Sequence, residues 1–306
     1  MASAATGSLR SFVRFAWATL AVTLLVIVWG GVVRATGSGA GCGSHWPLCN
    51  GTVVPLDPTV NTIIEFTHRL SSGAVMLMTV WLVVLARRTF VVGHAARRWA
   101  WIFFGFMMFE AAIGAGIVLL ELVADNASAL RAAYVGGHLV NTLLLVGAGV
   151  AVVWHADPPA RDRGGAAAWP LTVCLLGMLV VASTGAVVAL GDTLFPHASL
   201  AEGIRADFDP TSHFLIRLRI WHPVAAALLA ATVIGLVWHG RVLQGAAQAT
   251  PRRLIGIAVV VQTTLGLVNL LLLAPLALQM AHLLVSNLLW MPLVWAWLTA
   301  RGVEGP

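Results

Sequence analysis

Eight apolar stretches, each about as long as a bilayer is thick, decide what this chain can become. A helix needs about 20 residues to cross the hydrocarbon layer. Stretches of that order fall near 15–35, 63–86, 99–120, 130–154, 170–190, 214–239, 254–275 and 278–298. Charged side chains make up only 10% of the chain and hydrophobic ones 59%, whereas an ordinary soluble domain is about 25% charged. The expected fold is therefore all-α, a polytopic membrane protein with eight transmembrane helices. The first stretch follows Arg10 and Arg14 in the manner of a signal peptide, but no small-x-small cleavage site precedes Arg34, so a retained helix is expected.

The charges point to lipid rather than nucleic acid. All 18 basic residues are arginines, set against 12 acidic residues for a net charge of +6. They lie between the apolar stretches and form no single basic patch, which excludes a nucleic-acid partner and makes the lipid bilayer the expected surroundings. Twelve (Arg10, Arg14, Arg87, Arg88, Arg97, Arg98, Arg161, Arg163, Arg241, Arg252, Arg253 and Arg301) fall on one side and six (Arg34, Arg69, Arg131, Arg205, Arg217 and Arg219) on the other. The positive-inside rule then puts both termini in the cytoplasm. Segments 36–62, 121–129 and 191–213 and the turn near 275 become outer loops.

A faint internal echo divides the chain. Phe109–Gly114 resembles Val261–Gly266 at an offset of 152, and Val32–Gly37 has a looser partner in Val187–Gly191. His68 has His222 at an offset of 154, and His138 has His282 at an offset of 144. A duplicated unit with an even number of spans keeps its orientation, so the copies are related by a pseudo-twofold axis along the membrane normal. Two four-helix bundles, 1–158 and 159–306, are expected.

His68, His138, His222 and His282 each sit on an even-numbered span, in its outer half. Ionisable side chains in lipid are costly and need interior partners. Two imidazoles on facing helices can take the two axial positions of a six-coordinate haem iron. Duplication then implies two haem sites, His68 with His138 and His222 with His282. Packing histidines or a proton path are the alternatives; zinc is disfavoured because two histidines in an apolar pocket lack its further ligands. His94, His155 and His239 are expected at exposed cytoplasmic ends, and His45, His197 and His213 in outer loops.

The halves differ beside these histidines. Glu65 lies three residues before His68 and shares its helix face, close enough to reach the edge of a macrocycle; the alternative is an interfacial acid favoured by the helix dipole. Arg219 holds the equivalent place before His222, and Arg217 and Arg219 suit haem propionates. Cys42 and Cys49 lie in a Gly- and Pro-containing outer loop, where a disulfide is plausible, either redox-active or a simple staple. Cys174 is expected to pack as a small hydrophobe. Glu110, near the middle of the third span, is protonated, hydrogen-bonded to a neighbouring span, or part of a proton route. Arg34 and Arg131 suit propionates or phospholipid headgroups.

Thr36-Gly37-Ser38-Gly39, Cys42 with Trp46-Pro47-Leu48-Cys49, Glu65-Phe66-Thr67-His68-Arg69, Gly137-His138, Trp221-His222 and Ala281-His282-Leu283 together resemble the haem A synthases of bacterial and mitochondrial membranes. The resemblance runs from Gly30 to Asn287. It implies a bacterial cell-membrane oxidoreductase that converts haem O, delivered by a haem O synthase, to haem A for terminal oxidases by oxidising the porphyrin C8 methyl to a formyl group. It implies that His68 and His138 hold haem O or the product haem A, that His222 and His282 hold haem B, and that both sites lie toward the outer face. Glu65 is then the essential acid, with Cys42 and Cys49 as the outer-loop pair. Some relatives carry a second cysteine pair, but segment 191–213 has none here, and Glu110 corresponds to Gln262 in the repeat. The competing reading is a bis-histidine b-type cytochrome that moves electrons without modifying haem.

Overall fold

A computed structural model describes residues 2–159, 168–239, 243 and 245–302, and the arginines Arg161, Arg163 and Arg241 counted above lie outside the described residues. The helices are α1 (Ala2–Ala35), α2 (Val60–Thr89), α3 (Ala95–Leu119), α4 (Ala129–Ala156), α5 (Trp169–Leu194), α6 (Leu200–Phe208), α7 (Phe214–Arg217), α8 (Trp221–His239), α9 (Ala246–Leu271) and α10 (Leu276–Arg301). Eight spans among the described residues are long and apolar enough to cross a membrane, with α7 and α8 sharing the sixth, Phe214–Trp238. The chain is a multi-pass, all-α membrane protein.

Local chemistry sets the helix ends. Thr59 caps α2 by accepting the Thr62 amide, and Ser128 caps α4 by accepting that of Arg131. The α9–α10 connection is so tight that Leu273 and Ala274 take φ values of 58° and 56°. Two departures from the hydropathy reading appear at polar ends. α9 starts at Ala246 rather than near 254, and α1 runs back to Ala2, because residues too polar to count as membrane span still continue a helix. The 191–213 loop also contains α6, opened by Ser199 accepting the Glu202 amide while Glu202 accepts that of Ala198.

Two apolar cores share helices. One gathers Phe12, Ala16, Val75, Leu82, Phe103, Leu145 and Val152 from α1–α4; the other joins Leu20, Leu143 and Val150 to Leu171, Val233, Ile255, Trp290 and Leu293. α4 is buried almost continuously from Asn141 to Ala156. It packs on α1, α3, α5 and α10, so the seam between the halves is built from the first and last spans of each. Arg34 pins one end of that seam, donating to the Ala189 carbonyl (2.7 Å), Thr193 (2.8 Å) and Gln279 (2.6 Å). Trp154 Nε1 to Thr299 (3.1 Å) and Trp297 Nε1 to Thr172 (2.9 Å) pin the opposite end. His155 corrects an expectation: it is buried against Trp99, bonded to the Ala151 carbonyl, because α4 is central and its end never reaches solvent. Cys174 is fully buried in the second core.

Candidate functional site

The four histidines on the even-numbered spans converge. His68 (α2), His138 (α4), His222 (α8) and His282 (α10) line a single cavity of about 1370 Å³, together with Glu65 and Glu110. It extends across both halves, so the two expected sites are neighbouring regions of one space. The loop between α1 and α2 closes one part of it through Trp46 and Pro47, and α6 closes another through Ile204 and Phe208.

His222 and His282 face each other with ring centroids 6.4 Å apart. A metal–imidazole bond of about 2 Å on each side, plus about 1.1 Å from nitrogen to ring centre, sums to about 6.2 Å for two imidazoles sharing one iron. The Nδ1 of His222 lies 3.1 Å from the Val181 carbonyl, which can only accept, so Nδ1 carries the proton and Nε2 is left bare. In His282 the Gln262 amide lies 3.2 Å from Nε2, while Nδ1 is buried without a partner. The Nδ1 atom of His68 is likewise buried and unpartnered, and that of His138 makes no hydrogen bond although the Glu110 carboxylate stands 3.4 Å away. Buried polar atoms normally find partners, and this set of orphaned imidazole nitrogens around a cavity fits a group that the protein itself does not provide.

Glycines on neighbouring helices make room for three of the rings. A β-carbon added at Gly30 (α1) would lie 3.0 Å from Cε1 of His68, one at Gly185 (α5) 2.8 Å from Cε1 of His222, and one at Gly266 (α9) 3.0 Å from Cε1 of His282. Gly266 closes the second of the repeated six-residue segments, but at its counterpart Gly114 an added β-carbon meets nothing within 4 Å, so the repeat did not mark the glycines that seat imidazoles.

Glu65 is buried and faces both the cavity and the loop. Its Oε2 accepts the Cys42 amide at 2.8 Å and its Oε1 pairs with Arg69. Arg69 in turn donates to the His45 and Leu48 carbonyls, 2.6 Å each. Cys42 and Cys49 form a disulfide. The acid, the disulfide loop and the start of α2 are therefore one connected unit, and the interfacial alternative for Glu65 does not describe its place.

Arg219 lies at the cavity edge, with its guanidinium bound to Asp192 (3.0 Å), Asp207 (2.8 Å) and His197 (2.7 Å). Arg217 does not line the cavity; it is exposed and donates to the Pro210 carbonyl at 3.3 Å. Arg131 donates to the Ala124 and Asn126 carbonyls. Glu110 receives Asn141 Nδ2 at 2.6 Å and the Thr142 hydroxyl at 2.5 Å. Neither partner had been singled out in the sequence.

The family model described as COX15-CtaA, cytochrome oxidase assembly protein, matches residues 13–294. The chain belongs to this family. It is 42% identical over 285 residues to a protein of Thermus thermophilus named protoheme IX farnesyltransferase, a match covering 90% of this chain and 46% of that one. Proteins named heme A synthase match shorter regions. That of an Exiguobacterium species is 39% identical over 121 residues (39% of this chain, 38% of the relative), and that of Shouchella clausii 42% over 96 residues (31% and 32%). The matched region spans less than half the length of each of these relatives.

Proposed function

We propose that the chain is a haem A synthase, an enzyme that oxidises the C8 methyl of haem O to a formyl group through two successive hydroxylations and loss of water. The observation that carries this reading is the convergence of His68, His138, His222 and His282 on one cavity beside Glu65. His68 and His138, in a half running 1–158, hold the substrate haem O and then haem A. His222 and His282, in a half running 159–306, hold a haem B that passes electrons. Iron porphyrin supplies the redox chemistry that amino-acid side chains lack.

The chain's own residues bind, orient and exclude. Val181 fixes the His222 ring through Nδ1. Glu65 holds the Cys42 amide and Arg69, keeping the disulfide loop closed over the cavity so that water and stray oxidants stay out. The same carboxylate is the acid beside the substrate, placed to take a proton released as the methyl is oxidised. Arg219, at the rim, is the propionate partner in this reading; Arg217 stands apart from the cavity. Twelve arginines against six support cytoplasmic termini, which puts both sites toward the outer face. A haem O synthase is the supplier this chemistry requires, and the farnesyltransferase name of the Thermus thermophilus relative favours that partnership.

The test is turnover. Purified protein given haem O, dioxygen and an electron donor is expected to yield haem A, identified by mass. Glu65→Ala is expected to stop product formation while leaving the absorbance of the pigment at His222 and His282. Two bound pigments with no haem A formed would instead favour an electron-transferring cytochrome.

A further inference from the structure

We infer that Glu110 is a positioning residue acting through His138, giving the first histidine pair an anionic partner that the second lacks and biasing an iron held there toward its oxidised state. The inference rests on the haem reading of the two pairs but not on the reaction assigned to them. Glu110 sits near the middle of α3, where an acid is expensive to keep. α4 fixes its carboxylate with two donors, Asn141 Nδ2 at 2.6 Å and the Thr142 hydroxyl at 2.5 Å, one turn beyond His138. Asn141 is itself held by the Phe106 carbonyl of α3 at 3.0 Å. So clamped, Oε1 stands 3.4 Å from Nδ1 of His138. At that distance the carboxylate acts on the N–H electrostatically rather than through a formed hydrogen bond, and Nδ1 has no other partner.

The second pair is built from neutral groups. Gln262 takes the place of Glu110 at the repeat offset and contacts His282 with an amide. Val285 and Ser286 stand 144 residues beyond Asn141 and Thr142, so the amide of the clamp is missing too. The Nδ1 of His222 meets a backbone carbonyl and, at 3.3 Å, the Thr184 hydroxyl. The other acids on the cavity face guanidinium groups, Glu65 that of Arg69 and Asp192 and Asp207 that of Arg219, whereas no guanidinium is among the hydrogen-bond partners of Glu110 in the described residues. Ligation through Nε2 keeps the proton on Nδ1, and a carboxylate held in front of that N–H makes the imidazole a stronger donor. The added negative charge near the iron favours ferric over ferrous at the first pair alone.

The test is a potentiometric titration of the full-length protein loaded with haem, followed by absorbance, with the two components assigned by the loss of one in His282→Ala. In Glu110→Gln the reduced-to-oxidised ratio of the first-pair pigment at a fixed applied potential is expected to rise about tenfold or more, with the second-pair pigment within about twofold of wild type. Glu110→Asp is expected to restore most of the difference. An unchanged first-pair ratio, or an equal shift in both pigments, overturns the inference. If Glu110→Gln does not retain the first-pair pigment, Gln262→Glu decides. A fall of about tenfold at the second pair supports the electrostatic account, and an unchanged ratio there refutes it. A wild-type protein that binds both pigments but makes no haem A defeats the enzymatic proposal and leaves this one standing.

Discussion

Gly185→Ala tests whether His222 is held for a metal or merely packed. The new β-carbon would lie 2.8 Å from Cε1 of His222 and 3.2 Å from its Nδ1. Unstrained carbon contacts run about 3.5–4.0 Å, so the ring must retreat by about 0.7 Å or more. It cannot do so freely, because Nδ1 is anchored on the Val181 carbonyl. Ligand constellations tolerate about 0.5 Å of displacement, and losing one orienting contact lowers metal affinity by about 10–100-fold. At 1.4 kcal/mol per decade that is about 1.4–2.8 kcal/mol. The effect on the helix runs the other way, since alanine favours a helix over glycine by about 1 kcal/mol. Pigment affinity should therefore fall, with the helix gain offsetting part of an overpacking cost to the fold of about 1–3 kcal/mol. The assay is a haem B titration of purified variant followed by its bis-imidazole absorbance, alongside thermal unfolding of the pigment-free protein. Gly235→Ala on α8, where an added β-carbon meets nothing within 4 Å, is the control. Wild-type affinity in Gly185→Ala would refute the reasoning, as would an equal loss in the control.

The other predictions concern the seam and the loop. Arg34→Met removes three hydrogen bonds from a charged donor to α5 and α10 and is expected to lower stability by about 3 kcal/mol or more, read as a drop in thermal midpoint in detergent. Replacing Cys42 and Cys49 with serine opens a short loop, and the chain-entropy relation gives a loss of about 2.5 kcal/mol. Limited proteolysis should then cut between residues 42 and 59 while the pigment at His222 and His282 is retained, and loss of that pigment would contradict the placement of the loop over the other pair.

What the sequence disclosed and what it hid divide along a physical line. Span positions come from local hydropathy, and all eight spans appear within a few residues of expectation except where polar residues extend α1 and α9 beyond the apolar core of the span. α6 was also within reach, because Ser199 with Glu202 three residues on is the sequence pattern of a capping box, but a nine-residue amphipathic helix leaves no mark on a membrane-length window. The four histidines could be singled out because they recur on the even-numbered spans, a property of spacing alone. Partners supplied from elsewhere in the chain were not legible. Arg219 meets Asp192 and Asp207, 27 and 12 residues away, and Arg34 reaches Gln279 across 245 positions; nothing local distinguishes such an arginine from one free to hold a propionate. His155 misled for the same reason, since its exposure depended on which helix would be central. Glu110 shows the limit most sharply. Its sequence neighbours offer no partner, and only the packing of α4 on α3 brings Asn141, Thr142 and His138 to the carboxylate. An acid in mid-span is thus a sequence signal that something compensates it, and the tertiary contact reveals what. Here the compensating group includes a histidine of the candidate site, which makes the acid's expense explicable by what it does to that imidazole rather than by packing.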